Sequence, residues 1–256
     1  MYDPLGNHLK SSYEDVYRTH IPRRTYAIVR IDGKAFHTFT KGLEKPYCQP
    51  LADSLDEATV ALASQMMGTK FAYSQSDEIS FLLTDFDKEN TEAWFSGNIQ
   101  KIASVSASIF TAHFNRAWGN RVEDAQLATF DSRVFVIPTA QEVANYFVWR
   151  QQDSIRNSLN SLASVHFSHK SLQGTNSLDK RSMLNDIGFD WTTIPNEFRR
   201  GRVIRKVGQR RTVSYTHKKT GQTISQEIDD TLWSVDRDIP AFEGSDYLYS
   251  LIPEHA

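Results

Sequence analysis

Two short acidic turns, each fused to an apolar run, constrain this chain most: Arg30-Ile31-Asp32-Gly33-Lys34-Ala35-Phe36-His37 and Ser74-Gln75-Ser76-Asp77-Glu78-Ile79-Ser80-Phe81. Thr25 to Ile31 is β-branched and apolar, the pattern of a buried strand, and it ends in the Asp32-Gly33 turn. Lys70 to Tyr73 and Ile79 to Leu83 read as two further strands, joined by a polar link shaped like a hairpin tip. Between the first strand and this pair, Pro50 opens a helix in which Leu51, Leu55, Ala58, Leu62 and Met66 recur at three- and four-residue spacing until Gly68. A longer helix is expected from about Glu92 to Asn115, with Phe95, Ile99, Ile102, Val105, Ile109 and Phe110 along one side. Asp131 to Ile137 is a fourth strand, stopped by Pro138.

The order strand, helix, strand, strand, helix, strand is the split βαβ arrangement of ferredoxin-like domains and polymerase palms. The predicted fold class is therefore α/β (α+β): a βαββαβ antiparallel sheet with helices on one face and an α-rich C-terminal extension. Residues 1–138 are expected to be the palm-like unit, with 1–22 as an N-terminal arm. Residues 139–256 are expected to be the extension, packed with the palm as one unit. It holds a helix from Thr139 to about Phe167, another over Ser177–Ile187, a basic β-hairpin over 199–226 turning at Lys218-Lys219-Thr220-Gly221, and an acidic tail.

Charge separates along this extension. The whole chain has a formal net charge of −2, yet Phe198 to Gln226 contains no acidic residue while Arg199, Arg200, Arg202, Arg205, Lys206, Arg210, Arg211, Lys218 and Lys219 all fall there. Such a stretch is either a solvated hairpin or a surface that faces a polyanion. Cys48 is the single cysteine, which excludes an internal disulfide and every multi-cysteine zinc pattern and points to a reducing cytoplasm. No apolar run approaches a membrane span, and the first residues lack the basic and apolar regions of a secretion signal.

If the first strand lies beside the hairpin, Asp32 and Asp77 meet at one end of the sheet. Two close carboxylates stay ionised only beside a cation, so a Mg²⁺ site for phosphoryl chemistry is expected there. Gly33, without a Cβ, lets its backbone approach a ligand and offers its carbonyl as a further one. The amides of Lys34, Ala35, Phe36 and His37 are expected to face triphosphate oxygens. Adjacent strand residues point to opposite faces, so Asp77 is the expected ligand and Glu78 a supporting or outward group.

These segments, together with Phe130-Asp131-Ser132-Arg133-Val134-Phe135 and Trp149-Arg150-Gln151-Gln152-Asp153, closely resemble the tRNA-His guanylyltransferase family, in its order and approximate spacing. The match continues through Leu172-Gln173-Gly174-Thr175, Asp179-Lys180 and Arg199-Arg200-Gly201, covering roughly residues 10–210. The resemblance implies a polymerase palm working in reverse, which adds nucleotides to the 5′ end of tRNA after activating a 5′-monophosphate with ATP or GTP. It implies Asp32, the Gly33 carbonyl and Asp77 as ligands of two Mg²⁺ ions, with Asp32 to His37, Lys45, Ser76, Asp77 and Lys101 around the nucleotide. It also implies a homotetramer bridged by tRNA. The expected RNA-facing residues are Arg150, Arg156, Asn157 and Lys180, joined by Arg205, Arg210 and Arg211 of the basic stretch.

Eukaryotic members carry His-Ile-Asn-Asn-Leu-Tyr where this chain has Ile155-Arg156-Asn157-Ser158-Leu159-Asn160, and an arginine where it has Asn98. The chain thus looks like the bacterial and archaeal branch, whose members resemble template-dependent repair enzymes for truncated tRNAs. Competing readings are a palm-domain nucleotide cyclase and an inert RNA-binding module. The missing Gly-Gly-Asp/Glu-Glu-Phe hairpin argues against the first, and intact Asp32, Gly33 and Asp77 against the second.

Overall fold

The first three apolar runs become strands buried on both faces, and this explains why they read as continuous rather than alternating, whereas the fourth, over 131–137, forms a half-exposed edge. A computed structural model describes residues 3–216 and 221–254. Strands β1 (Tyr26–Gly33), β2 (Thr69–Gln75), β3 (Glu78–Leu83) and β4 (Phe130–Ile137) pair antiparallel in the order β4-β1-β3-β2, and β5 (Arg202–Thr216) and β6 (Thr223–Asp236) extend the sheet beyond β2. The first four strands are the expected ferredoxin-like set. Among the described residues the helices are α1 (Pro4–Leu9), α2 (Phe36–Phe39), α3 (Gln49–Gln65), α4 (Ile99–Gly119), α5 (Ala140–His166), α6 (His169–Leu172), α7 (Ser177–Asp186), α8 (Asn196–Arg199) and α9 (Asp246–Tyr249).

The period-two alternation of β1 divides the core. Ala27, Val29 and Ile31 face α3 and α4, meeting Leu55, Leu62, Phe110 and Phe114. Tyr26 and Ile28 face the other way, onto Val143 and Phe147 of α5 and onto Ile239, Phe242 and Leu248 near the C-terminus. The palm helices therefore cover one face and the extension covers the other. Each such fully buried Ile, Leu or Phe stabilises the fold by roughly 1.5–3 kcal/mol relative to exposure.

Two boundaries differ from the sequence reading. The helix expected from Glu92 begins only at Ile99, because Phe95 and Ser96 take φ of 49° and 52° in a short turn. Asn98 caps it instead, its side-chain oxygen accepting from Lys101 N at 2.9 Å. The hairpin runs over Arg202–Asp236, so Glu227, Asp229 and Asp230 lie on the return strand β6 rather than in a tail. Lys218, Lys219 and Thr220, where the turn was expected, lie outside the described residues.

A buried ion network fastens the start of β5 to α3. Arg202 Nε donates to Asp56 Oδ1 at 2.6 Å, with both side chains at most 4% exposed, and Arg202 Nη2 donates to Ser74 Oγ at 3.0 Å. Arg237 then bridges Asp56 (2.8 Å), Asp53 (2.7 Å) and Glu197 (2.9 Å). No helix among the described residues is long and apolar enough to cross a membrane.

Candidate active site

β1 delivers Asp32 to one end of the sheet, where it stands opposite Glu78 of β3 and Asp131 of β4. The β2–β3 turn places Ser76 and Asp77 at the same end, with Ser76 at φ 47°. Gly33 shows how tightly the two segments meet. A Cβ on Gly33 would lie 2.9 Å from Asp77 Oδ2 and 2.3 Å from Phe36 Cδ2. Only a residue without a side chain lets the β1 backbone approach the Asp77 carboxylate this closely.

The three neighbouring carboxylates are treated differently by the fold. Glu78 is almost buried and forms an ion pair with Arg150 at 2.8 Å, while the Arg150 guanidinium lies 3.4 Å from the Trp149 ring centroid. Asp77 accepts a hydrogen bond from Ser76 Oγ at 3.0 Å. Neither Asp32 nor Asp77 has an ion-pair partner within 4 Å among the described residues. Burial raises the pKa of Asp77 above the usual carboxylate range, and the charges of Asp32 and Glu78 push it in the same direction. Asp32 and Asp77 thus sit in each other's field, with no basic side chain paired to either among the described residues. Among the described residues no three His, Cys, Asp or Glu side chains gather as a metal cluster, so any ion here takes its remaining ligands from backbone, substrate or water.

After Gly33 the chain turns sharply. Lys34 N donates to Thr129 O at 2.9 Å, so that amide is engaged in the fold. Ala35 adopts φ 52°, ψ 38°, and α2 follows, anchored by Phe36 against Phe39, Phe114 and Phe130. Phe36 and His37, as the first residues of α2, have amides without an intrahelical acceptor.

A cavity of about 390 Å³ opens from this end of the sheet. Its walls include His37, Lys45, Ser76 and Asp77 on the palm side and Asn157 and Arg202 on the extension side. Tyr47 and Phe198 stack across it at 4.1 Å with an interplanar angle of 12°. Lys34 and Ala35 are exposed on the loop that leads to it.

Several other predicted residues stand outside the cavity wall. Lys101 is exposed on the first turn of α4, next to Ile102, which packs with Ala27, Leu83 and Val134 at the far end of β1. Arg150 is buried against Glu78, Arg156 is exposed and pairs with Asp153 at 2.9 Å, and Lys180 Nζ donates to Asn160 Oδ1 at 2.9 Å. Arg205, Arg210 and Arg211 pair across the hairpin with Asp236 (3.9 Å), Asp229 (3.2 Å) and Asp230 (2.6 Å). The basic stretch looks one-sided along the chain, but β6 compensates it across the ladder. Sequence reasoning singled out Asn157 but missed Arg202 and the rest of the polar wall that α5 builds with it, Ser154, Asn157, Ser158 and Ser161 together lining the cavity. Their i, i+3, i+4, i+7 spacing was the available signal for that wall.

The model of the family described as tRNAHis guanylyltransferase matches residues 7–138. The probable tRNA(His) guanylyltransferase of Dictyostelium discoideum is 31% identical over 223 residues, covering 80% of this chain and 83% of its own length. Among solved structures, a bacterial tRNA(His) guanylyltransferase-like protein in complex with ATP superposes with a TM-score of 0.83 at 41% identity, over 97% of this chain and 99% of that one. Another, in complex with GTP, gives a TM-score of 0.75 at 37% identity, over 98% and 99%.

Proposed function

We infer the function from the premise that the chain belongs to the tRNAHis guanylyltransferase family. It is a nucleotidyltransferase that takes nucleoside triphosphates and tRNA and adds nucleotides at the tRNA 5′ end, in the 3′-to-5′ sense. The finer reading is template-dependent repair of tRNA that has lost its first 5′ nucleotides. Ile155 to Asn160, which lack the eukaryotic motif, support it.

The observation that carries this reading is the approach of Gly33 to Asp77, with Asp32 in the same field, at the mouth of a cavity. The residues fit Mg²⁺: two hard, otherwise unpartnered carboxylates crowd one another, and a divalent cation relieves that repulsion. Asp32, Asp77 and the Gly33 carbonyl would hold two such ions. When bound, Mg²⁺ lowers the pKa of an attacking 3′-hydroxyl and neutralises charge on the phosphates.

The chain's own groups do the rest. Ser76 Oγ orients the Asp77 carboxylate, and Arg150 pairs with Glu78 and offsets part of the charge that Glu78 adds beside Asp77. The cavity receives the base and sugar of the nucleotide, and Lys45 and His37 on its wall face the triphosphate. The exposed apolar residues Leu5, Leu9, Tyr13, Val16 and Tyr17 of the N-terminal arm supply contacts for a homotetramer. With Cys48 as its single cysteine, the enzyme is read as cytoplasmic.

The test is addition of labelled nucleotides to a panel of tRNAs lacking the first 5′ nucleotide, using complementary and non-complementary triphosphates. Label at the 5′ end, with the complementary nucleotide preferred, is the expected result. Label in a cyclic product, or none at an RNA end, would overturn the reading.

A further inference from the structure

Beside the cavity, the extension sets two arginines over one indole and a third next to them in the chain. The guanidinium groups of Arg181 on α7 and Arg199 on α8 lie 4.9 and 5.1 Å from the Trp191 ring centroid, and Arg200 follows Arg199 where α8 leads into β5. Trp191 is only 8% exposed, and its Nε1–H donates to Ser158 Oγ at 3.1 Å, on the polar wall of the cavity.

The backbone beneath the cluster is fixed. Tyr73 Oη and Gln151 Nε2 donate to Arg200 O at 2.7 and 3.3 Å. Gly201, at φ +80°, presses so close to β2 that a Cβ there would lie 2.6 Å from Ser74 O. The arginines therefore stand on a braced support.

Three other arginines packed against the core have carboxylate partners: Arg150 has Glu78, Arg202 has Asp56, and Arg237 has Asp53, Asp56 and Glu197. Arg181, Arg199 and Arg200 form no ion pair within 4 Å among the described residues. The neighbouring acids Asp190 and Asp238 act on the cluster through space, while their hydrogen bonds go to other groups. Asp190 accepts from Thr192 N and Oγ1 at 2.8 and 2.6 Å, and Asp238 accepts from Asn196, whose Oδ1 in turn accepts from Arg199 Nη2. Arg200 Nη1 reaches only the Ile239 carbonyl, at 3.5 Å, and Arg199 Nε is buried without a hydrogen-bond partner. Burial first, then repulsion from Arg200 and Arg181, lowers the pKa of Arg199, which shows that the three charges feel one another.

Clustered cations with spare donors and no carboxylate in direct contact are the pattern of an anion site, and planar guanidinium groups on an aromatic ring suit phosphate oxygens. None of the three lines the cavity, so a mononucleotide held there lies apart from them, whereas a polynucleotide reaches both. We propose that Arg181 and Arg199, braced on Trp191, together with the adjacent Arg200 form a binding site for backbone phosphates of the RNA substrate and so seat the tRNA beside the catalytic cavity. That the polyanion is tRNA rests on the function proposed above.

The experiment measures binding of 5′-truncated tRNA by the full chain across a salt series, together with steady-state nucleotide addition, for wild type, Arg181→Ala and the double variant Arg181→Ala/Arg199→Gln. Arg181 is exposed, so its removal leaves the fold intact. The single variant weakens tRNA binding about 3- to 10-fold and the double variant about 10- to 100-fold, with the salt slope falling by roughly 0.7–0.9 for each phosphate that is no longer neutralised. KM for tRNA rises in step, while KM for GTP and the rate at saturating tRNA stay at wild-type values, a split that a purely structural role would not produce. Wild-type tRNA affinity and salt slope in the double variant would overturn the proposal, as would a rise in KM for GTP or ATP with tRNA binding unchanged. A wild-type chain that binds tRNA but adds no nucleotide would sink the proposed reaction alone; one that binds no tRNA would sink both.

Discussion

Gly33→Ala is the most revealing single change, because one methyl group strikes both the scaffold and the chemistry. The new Cβ would fall 2.3 and 2.8 Å from Phe36 Cδ2 and Cγ and 2.9 Å from Asp77 Oδ2. Carbon contacts are comfortable at about 3.5–4.0 Å, so the overlap with the ring is about 1 Å. Phe36 has little room to withdraw, with Phe39, Phe130 and Phe114 at centroid distances of 4.8, 5.5 and 6.2 Å. Overpacking of this kind costs about 1–3 kcal/mol. For a chain of this length that lowers Tm by roughly 2–12 °C. The Asp77 carboxylate must also move, and a displacement of about 1 Å at a reacting centre lowers the rate by about 100-fold. Differential scanning fluorimetry and single-turnover addition of labelled GTP to tRNA read the two effects separately. Adding Phe36→Leu removes the aromatic overlap, so Gly33→Ala/Phe36→Leu recovers melting temperature but not activity. A Gly33→Ala variant with wild-type Tm and rate would refute the reasoning. Full recovery of activity in the double variant would show that the ring alone mattered.

Adjacent carboxylates should respond in opposite directions. The raised pKa of Asp77 means that the folded chain holds this proton more tightly than the unfolded chain, so stability from this group falls as pH rises from 3.8 through the raised folded value. Asp77→Asn therefore raises the Tm in EDTA at pH 7 and abolishes nucleotide addition; a variant that is less stable, or still active, contradicts this. Glu78→Ala strips Arg150 of its partner at 2.8 Å, with Asp153 left at 3.7 Å, and costs about 3 kcal/mol, measurable by urea denaturation. Asp56→Asn unpairs Arg202 and weakens its link to Arg237, costing about 3–5 kcal/mol; a loss below about 1 kcal/mol would show that the network is not structural. Replacing Arg205, Arg210 and Arg211 together by alanine leaves tRNA affinity within about twofold in a filter-binding assay, because exposed pairs of this kind are worth only about 0–1 kcal/mol and their charges are already compensated.

Strand order and the placement of Asp32 and Asp77 at one end of the sheet were legible because both depend on local patterns: apolar runs ended by turn residues, and a proline-to-glycine helix between them. The Glu92 boundary was not legible. Phe95 and Ser96 both adopt positive φ, and neither residue type signals it. The hairpin's charge was misleading for a related reason: pairing across strands sets Arg210 against Asp229, 19 residues away, which a reading along the chain does not register. Arg202 and Arg199 lay in the same basic run, yet one is buried on Asp56 and the other stands over Trp191 without a carboxylate partner. Sequence gives the charge of each residue, and only the packing of α3, α7 and α8 decides its company.

The most direct test of the central claim is anomalous diffraction from crystals of the full chain grown with GTP and Mn²⁺ in place of Mg²⁺. The account predicts metal peaks between the Asp32 and Asp77 carboxylates, within coordination distance of the Gly33 carbonyl and touching the triphosphate. Peaks on other groups, or a bound triphosphate with no ion at Asp32 and Asp77, would contradict it.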